Sequence, residues 1–478
     1  MKKKYPLILP VILSILTLLV LTGCRQPETS IDPTENTLAY SNLTELVLSP
    51  DAIPDDAEFA KMAMLETIDA RNVQLSIADY GHLKQLVPHA QILWNVPFQG
   101  EYLAEDTCEL QVETMNQVDM DALEYFPALQ VINLGQTQEY ELIEDLQNRY
   151  PHVSLDYMVP VNENWYPCDV ISLQIDAADL SALSVLPYLP QVTEVSLIGE
   201  TIDYEAVALL MDTYPDISFL FNVELFGKTV PNTATMLDLS GIKMKATDEV
   251  ESYLKYFINL ERVEMCECGI SSEDMDAMAK RHPEIKFVWT IRIRGGKLRT
   301  DATAFIPYKL GYGLDNPIFD YDCTELKYCT DLICLDLGHM KIRDISFLQY
   351  MPNMKYLILI DMPCRDFSVL ENLNELIYLE LFNVQFTQHE VLLHMTKLED
   401  LNISSTPTTD IDVLKQMTWL KRLWITRTRL NSQQIEELKA ALPDTQIVPN
   451  AAHSTAAGWR NHQNYRDMRD LLGMFYMD

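Results

Sequence analysis

The C-terminal part of the chain repeats one apolar motif every 22 residues. The motif has three apolar residues in the spacing L-x-x-L-x-L, and its five copies open at Leu332, Met354, Leu376, Leu398 and Leu420. Alternating apolar residues predict a short strand with one buried face. Because each unit can bury that face only against its neighbours, a constant period over five units predicts a solenoid of stacked parallel strands.

The same motif recurs upstream in four groups of three, and the third strand of each group is long. These long strands lie in residues 87–100, 150–164, 214–230 and 282–296, where a Pro precedes apolar residues at every second position. In the first three groups the next motif begins 18 residues after the third one, which leaves no room for a helix. We therefore predict that each strand overshoots the sheet and returns as a hairpin, with turns at Gly100, Asn162, Gly227 and Gly295–Gly296.

Two helices are predicted on the return, or convex, side of the units. Ser271 and Asn431 precede polar stretches with helical character and are favoured N-cap residues. Both helices must end before Pro283 and Pro443, because the residue before a proline is disfavoured in helical geometry.

The repeat resembles that of the leucine-rich-repeat proteins, and the chain is similar to the leucine-rich-repeat lipoproteins of bacterial cell surfaces, a group related to the internalins. The resemblance covers residues 42–450 and implies an α/β fold, a solenoid with a curved parallel sheet and helices or turns behind it. The family places Asn or Cys at the ninth position of the unit. Cys268 occupies this ninth position in the unit that opens at Leu260. In the five regular units the ninth residues are Met340, Met362, Val384, Thr406 and Thr428.

The N-terminus has the pattern of a bacterial lipoprotein signal. Three lysines precede an apolar run, and the run ends in Leu21-Thr22-Gly23-Cys24. In proteins with this resemblance the thiol of the Cys carries diacylglycerol and becomes the mature N-terminus, so Cys24 is the predicted lipidation site. An uncleaved membrane-spanning anchor is the alternative, although the apolar run is short for a span. The predicted location is the extracytoplasmic face of the cell membrane, with lipid as the contact to the bilayer.

The domain division follows from these patterns. We predict a signal peptide, a lipidated Cys with a flexible tether, grouped repeats with hairpins, an irregular insertion that breaks the period, a regular array, and a C-terminal cap with apolar residues at helical spacing (residues 1–23, 24–41, 42–305, 306–330, 331–450 and 451–478). A helix that binds a partner is the alternative for the last segment.

The charge and the cysteines narrow the function classes. The chain has a net charge of −34, and removal of residues 1–23 leaves 33 basic and 70 acidic residues, a net charge of −37. This charge repels nucleic acid, so no nucleic-acid partner is expected. Eight cysteines besides Cys24 permit disulfides, but their spacing is not that of a small disulfide scaffold, and we expect most of them to be buried thiols.

The sequence predicts no catalytic residue, no metal site and no cofactor, and therefore no enzyme. The nearest approach to a known motif is His389-Glu390-Val391-Leu392-Leu393-His394, but a zinc protease needs its two histidines four residues apart on one helical face. No nucleophile elbow, phosphate-binding loop or calcium loop is present. An enzyme with an unrecognised site is the least favoured of three functional hypotheses.

The side chains that point away from the core predict a binding site. They occupy the third, fifth and seventh positions of each unit and form what we call the concave strand face. In the grouped repeats this face is acidic. In the regular array it has an aromatic and apolar patch with polar anchors beside it, and the predicted partner-binding residues are Tyr356, Ile358, Ile360, Tyr378, Glu380, Phe382, Arg422 and Trp424. The expected occupant of this patch is a protein partner, and the alternative occupant is the chain's own insertion or C-terminal tail.

The first functional hypothesis is therefore protein–protein interaction or adhesion through the concave strand face. The second is a structural cell-envelope spacer, or wall-associated protein, that makes its contacts through the hairpins. The sequence does not name the partner.

Overall fold

The computed structural model describes residues 40, 42–199 and 201–474. The predicted lipidation site at Cys24 lies outside these residues. Two compact units are present: the described part of Met1–Ile171 with Ser181–Val192, and Ser172–Leu180 with the described part of Thr193–Asp478.

The first unit contains two groups of parallel strands, each followed by a hairpin. One group has the order β1-β2-β3 with the hairpin β4-β5, and the other has the order β6-β7-β8, where β9 pairs antiparallel with the long strand β8. The strands are β1 (Glu45–Val47), β2 (Thr67–Asp69), β3 (Gln91–Leu93), β4 (Asn95–Phe98), β5 (Glu101–Ala104), β6 (Glu109–Gln111), β7 (Val131–Gln136), β8 (Ser154–Val161) and β9 (Asn164–Pro167).

The second unit repeats this pattern twice and then continues as the regular array. The grouped strands are β10 (Ser172–Asp176), β11 (Glu194–Ile198), β12 (Ser218–Leu220), β13 (Asn222–Leu225), β14 (Lys228–Pro231), β15 (Met236–Asp238), β16 (Arg262–Glu264), β17 (Lys286–Val288), β18 (Thr290–Ile293) and β19 (Gly296–Arg299). A seven-stranded parallel sheet follows, formed by β20 (Ala304–Phe305), β21 (Cys334–Asp336), β22 (Tyr356–Ile358), β23 (Tyr378–Glu380), β24 (Asp400–Asn402), β25 (Arg422–Trp424) and β26 (Gln446–Val448).

The α-helices are α1 (Asp56–Phe59), α2 (Ile77–Leu86), α3 (Gln117–Ala122), α4 (Tyr140–Arg149), α5 (Tyr204–Thr213), α6 (Asp248–Leu254), α7 (Ser272–Arg281), α8 (Ser432–Ala441) and α9 (Gln463–Leu471). Most of them connect grouped strands, while α8 lies between β25 and β26 and α9 lies in the last part of the chain. The side chains of Ser271 and Asn431 cap α7 and α8 as predicted. In the 22-residue units the return segments are short 3₁₀ turns at Ser346–Tyr350, Ser368–Asn372, His389–His394 and Leu414–Gln416.

The four predicted hairpins are present. At the first and third turns both central residues have positive φ: Gln99 and Gly100 at 48° and 84°, and Phe226 and Gly227 at 50° and 74°. This is the geometry of a type I′ turn, which matches the twist of the two strands that it joins. The leucine-rich-repeat fold with hairpin excursions is thereby confirmed.

In the turns of the regular array, backbone amides donate to carbonyls of the next unit, and no stack of ninth-position Asn side chains is needed. Residues at 22-residue spacing adopt positive φ, from His339 at 68° to Arg427 at 58°. The amide of His339 donates to the carbonyl of Ile360 at 2.8 Å, and the amide of Ser405 donates to that of Thr426 at the same distance. In the grouped repeats, the buried thiol of Cys268 donates to the carbonyl of Leu239 at 3.2 Å, which fits its predicted structural role.

The insertion is a packed part of the second unit. Its residues Ile318 and Leu326 have no exposed surface. A Cβ added to Gly296 in β19 would lie 2.6 Å from Cδ1 of Leu310, so the hairpin and the insertion are in close contact. Asp320 accepts hydrogen bonds from the amides of Arg343 and Asp344 at 2.6 and 2.9 Å. The insertion is thus fastened to both of its neighbours along the chain.

Candidate functional site

Six of the eight predicted partner-binding residues lie on three strands of the seven-stranded sheet, and Ile360 and Phe382 lie two residues after β22 and β23. On β22 and β23, Tyr356 pairs with Tyr378, and Ile358 pairs with Glu380. Arg422 and Trp424 lie on β25, which is separated from β23 by β24. The predicted residues therefore form two parts of one face, with Asp400 and Asn402 of β24 between them.

The C-terminal segment, which we define as residues 451–474, covers this face. Seven of the eight predicted residues are at most 8% exposed, and the eighth, Phe382, is half-buried. The expectation of an exposed patch is wrong, and the alternative occupant, the chain's own tail, is the one observed. The predicted cap is also misplaced, because this segment packs on the concave strand face and not over the end of the array.

Aromatic and sulfur-containing side chains fill the contact. Trp459 has no exposed surface, and its ring centroid lies 5.2 Å from that of Tyr378 and 5.0 Å from that of Trp424. Met468 and Leu472 of the same segment join the cluster around Cys334, Tyr356 and Ile358. The face is apolar enough to need a cover, and Trp459, Met468 and Leu472 of the C-terminal segment supply it.

Glu380 is the polar centre of one half of the contact. Its carboxylate has no exposed surface, accepts a hydrogen bond from Nε1 of Trp459 at 2.7 Å and pairs with Nη2 of Arg460 at 3.0 Å. The hydroxyl of Tyr378 also donates to it. A buried carboxylate is tolerated when it is paired and hydrogen-bonded in this way, so Glu380 is fully used within the chain.

Asp400 and Arg422 form the polar centre of the other half. Nη1 of Arg422 lies 3.2 Å from Oδ2 of Asp400, and its Nη2 donates to the carbonyls of Gly458 and Trp459 at 3.0 and 2.8 Å. Nδ1 of His462 lies 2.8 Å from the same Asp400 oxygen. Burial raises the pKa of Asp400, and Arg422 and His462 oppose that rise only in part.

Among the described residues, a cleft of about 850 Å³ lies beside the covered face. The insertion forms one wall with Tyr308, Lys309 and Leu314, while Asp336, Gly338 and Ile360 of the strand face form the floor. Arg460 and Met474 of the C-terminal segment close the other side. The volume is in the range of sites that hold a small molecule or a large side chain.

Asp336 is the one carboxylate on the floor of this cleft. Its Oδ1 accepts a hydrogen bond from the amide of Gly338 at 2.9 Å, and its Oδ2 has no hydrogen-bond partner among the described residues. Burial raises the pKa of Asp336 to about 6, the nearby charge of Glu380 adds to the rise, and Arg460 and His339 oppose it. A carboxylate with one free oxygen in a partly buried cleft can accept a hydrogen bond from a ligand or pair with a cationic group of the ligand.

The histidine segment, the possible metal ligands and the cysteines of the sequence form no further site among the described residues. The histidines of the 389–394 segment lie on a 3₁₀ turn, where His389 contacts Oγ1 of Thr408 at 3.0 Å. Across residues 40, 42–199 and 201–474, no three metal-binding side chains come together. Within that same part of the chain, no helix is long and apolar enough to span a membrane. The eight cysteines that the structure describes are free thiols, and six of them are buried.

Sequence reasoning missed the residues that complete the site. Trp459, Arg460 and His462 precede the predicted C-terminal helix and have no repeat pattern, so nothing in the sequence connects them with strand residues 62 to 80 positions earlier. Asp336 was visible as a fifth-position residue, but only the insertion and the tail place it in a cleft.

No known family model matches this chain, and no curated protein matches it. Among solved structures, it is similar to an internalin from Listeria monocytogenes, with 16% identity over 79% of this chain and 91% of that chain and a TM-score of 0.27. A leucine-rich-repeat protein from Leptospira interrogans matches with 13% identity over 87% of this chain and 98% of that one, at a TM-score of 0.26. A TLR13–ssRNA13 complex matches with 13% identity over 83% of this chain and 54% of that one, at a TM-score of 0.24. These neighbours are leucine-rich-repeat proteins.

Proposed function

We propose that the chain is a lipid-anchored, extracytoplasmic leucine-rich-repeat protein that binds another protein through the insertion and the adjacent cleft. The observation that carries this proposal is that three large apolar side chains are exposed in one 14-residue stretch inside the insertion. Tyr308, Leu314 and Tyr321 are 69%, 71% and 68% exposed. Exposed apolar side chains at a cleft are typical of protein-binding surfaces, and tyrosine is among the residues that most often anchor them.

The covered patch on the concave strand face is not the proposed surface. Its polar anchors Glu380 and Arg422 have their hydrogen bonds within the chain, so a partner could reach them only by displacing the C-terminal segment. The insertion needs no such displacement. Two of its exposed residues, Tyr308 and Leu314, also line the cleft.

Replacing Tyr308, Leu314 and Tyr321 together with serine is expected to abolish capture of the partner. The full chain in mild detergent would be used to capture secreted and surface proteins, and the captured proteins would be identified by mass spectrometry. We expect at least a tenfold loss of the specific partner, because anchor residues of this kind each contribute about 1–2 kcal/mol or more. The matched control replaces Met64, Val118 and Leu209, which are 58%, 68% and 67% exposed and lie elsewhere. Equal loss in both variants, or in neither, would remove the insertion from consideration.

The spacer hypothesis gives a different result in the same assay. A protein that contacts the cell wall or its own copies through the hairpins would bind equally well in both triple variants. Its association would instead depend on the turn residues, for example Gln99 and Phe226.

The proposed lipid anchor depends on Cys24. Its replacement by alanine is expected to prevent metabolic labelling with a radioactive fatty acid. A Cys108→Ala variant is the control and should still be labelled, since Cys108 is an exposed free thiol outside the signal. Labelling of the Cys24→Ala protein at the wild-type level, or no labelling of the wild type, would contradict the assignment.

A further inference from the structure

We infer that the cleft receives a lysine side chain of the protein partner, with the lysine ammonium on the free oxygen of Asp336. This inference rests on the proposed function, since it specifies the chemistry of the same surface. It identifies the ligand as a primary ammonium on an aliphatic stem, presented by a polypeptide.

The balance of charge in and around the cleft favours a cation. Among the described residues that line the cleft, Asp315 and Asp336 are carboxylates, and Lys309 and Arg460 are full cations. Arg294 lies at the rim, where its guanidinium donates to Oδ1 of Asn316 at 2.9 Å. Nη2 of Arg460 already pairs with Oε2 of Glu380 at 3.0 Å. The imidazole of His339, which also lines the cleft, lies with its Nδ1 2.9 Å from Oδ2 of Asp361. The negative charge of the whole chain adds a long-range attraction for a basic partner.

The geometry at Asp336 favours lysine over arginine. Oδ1 of Asp336 already accepts a hydrogen bond from the amide of Gly338. Only its Oδ2 has no hydrogen-bond partner in the described part of the chain. An arginine side chain gains most of its advantage from two parallel hydrogen bonds to both carboxylate oxygens, and this arrangement is not available here. A lysine ammonium is a compact charge that can use one oxygen.

The walls of the cleft fit the rest of a lysine side chain. Ile306, Met340 and Ile360 provide apolar surface around the floor, and Tyr308 and Leu314 lie exposed at its edge. Long cationic side chains commonly pack their methylene groups on such surface while the charge reaches a polar group. Gly338 leaves room beside Ile360 and Asp336, because a Cβ there would lie 2.9 Å from Cγ1 of Ile360 and 3.0 Å from Oδ1 of Asp336.

The test measures binding of a lysine probe to the full chain by isothermal titration calorimetry at pH 7.5 and low ionic strength. The probe is Nα-acetyl-lysine methylamide, and the same compound acetylated on its side chain lacks the charge. Asp336→Asn is compared with the control variant Asp344→Asn. Oδ1 of Asp344 accepts a hydrogen bond from the amide two residues later, that of Ser346, at 2.8 Å, as Oδ1 of Asp336 does from Gly338. Asp344 differs in being exposed. We expect millimolar binding by the wild type, about tenfold weaker binding by Asp336→Asn, and no change in Asp344→Asn, as removal of one charge-assisted hydrogen bond predicts.

A pH profile of the wild type provides a second measurement that needs no variant. Asp336, which faces Glu380, Arg460 and His339, takes up a proton as the pH falls through about 6, so binding of the lysine probe is expected to weaken there. No binding by the wild type, equal binding of the acetylated probe, or an unchanged affinity in Asp336→Asn would each overturn the inference. If partner capture is lost in the insertion variant but persists in Asp336→Asn, the proposed function stands and this inference falls.

Discussion

Trp459→Ala is expected to lower the free energy of unfolding by about 3–5 kcal/mol, as other replacements of a fully buried Trp do. Trp459 has no exposed surface and lies against Tyr378 and Trp424, while its indole nitrogen donates to the buried Glu380. The alanine variant therefore leaves a cavity beneath the C-terminal segment and also removes a donor from a buried charge. Denaturant unfolding, followed by tryptophan fluorescence and circular dichroism, measures this loss.

Trp459→Phe is the matched control for this prediction. Phenylalanine keeps most of the ring contact but cannot donate to Glu380, so a smaller loss of about 1–3 kcal/mol is expected. The alanine variant should also be cut faster by proteases within residues 451–474, because the segment loses its main anchor. A loss below about 1 kcal/mol in Trp459→Ala, relative to the range for buried aromatic residues, would mean that the segment is not held as described.

Arg422→Met is expected to destabilise the fold by about 3–5 kcal/mol at neutral pH, the range for breaking a buried ion pair from one side. Methionine preserves the apolar stem between Trp424 and Trp459, which lie 4.7 and 4.8 Å from the guanidinium carbon. The variant leaves Asp400 without its arginine, and it removes the donor from the carbonyls of Gly458 and Trp459.

The loss in Arg422→Met should shrink as the pH is lowered. Burial already raises the pKa of Asp400 in the native protein, and removal of Arg422 raises it further. A carboxyl group whose folded pKa lies above its unfolded value favours folding when it is protonated, and this contribution is lost as the pH rises through the folded pKa.

A second replacement distinguishes this electrostatic cause from simple loss of packing. Asp400→Asn in the Arg422→Met background removes the buried charge and should recover a part of the lost stability at neutral pH. Urea midpoints at pH 5 and pH 7.5 for the single and double variants form the required comparison. A loss that is independent of pH and unchanged by Asp400→Asn would show that packing alone is responsible.

Much of the fold follows from local patterns that need no knowledge of distant contacts. The 22-residue period places the inward residues from Leu335 to Ile425 in the core, where each is at most 1% exposed. The 18-residue spacings predict the hairpins, because a chain segment of that length can only turn back on itself. The helix caps at Ser271 and Asn431 follow from the residue types alone.

The candidate site could not be predicted in the same way. The sequence determined which side chains lie on the concave strand face, because strand alternation fixes that without reference to anything else. Whether the face is free or covered depends on a contact between strands near residue 380 and a tryptophan 79 residues later. No local pattern encodes such a contact, since it forms wherever burial of apolar area and pairing of charges offset the entropy of ordering the tail. The tertiary structure alone decided that the tail occupies the patch and that the insertion stays exposed beside an open cleft.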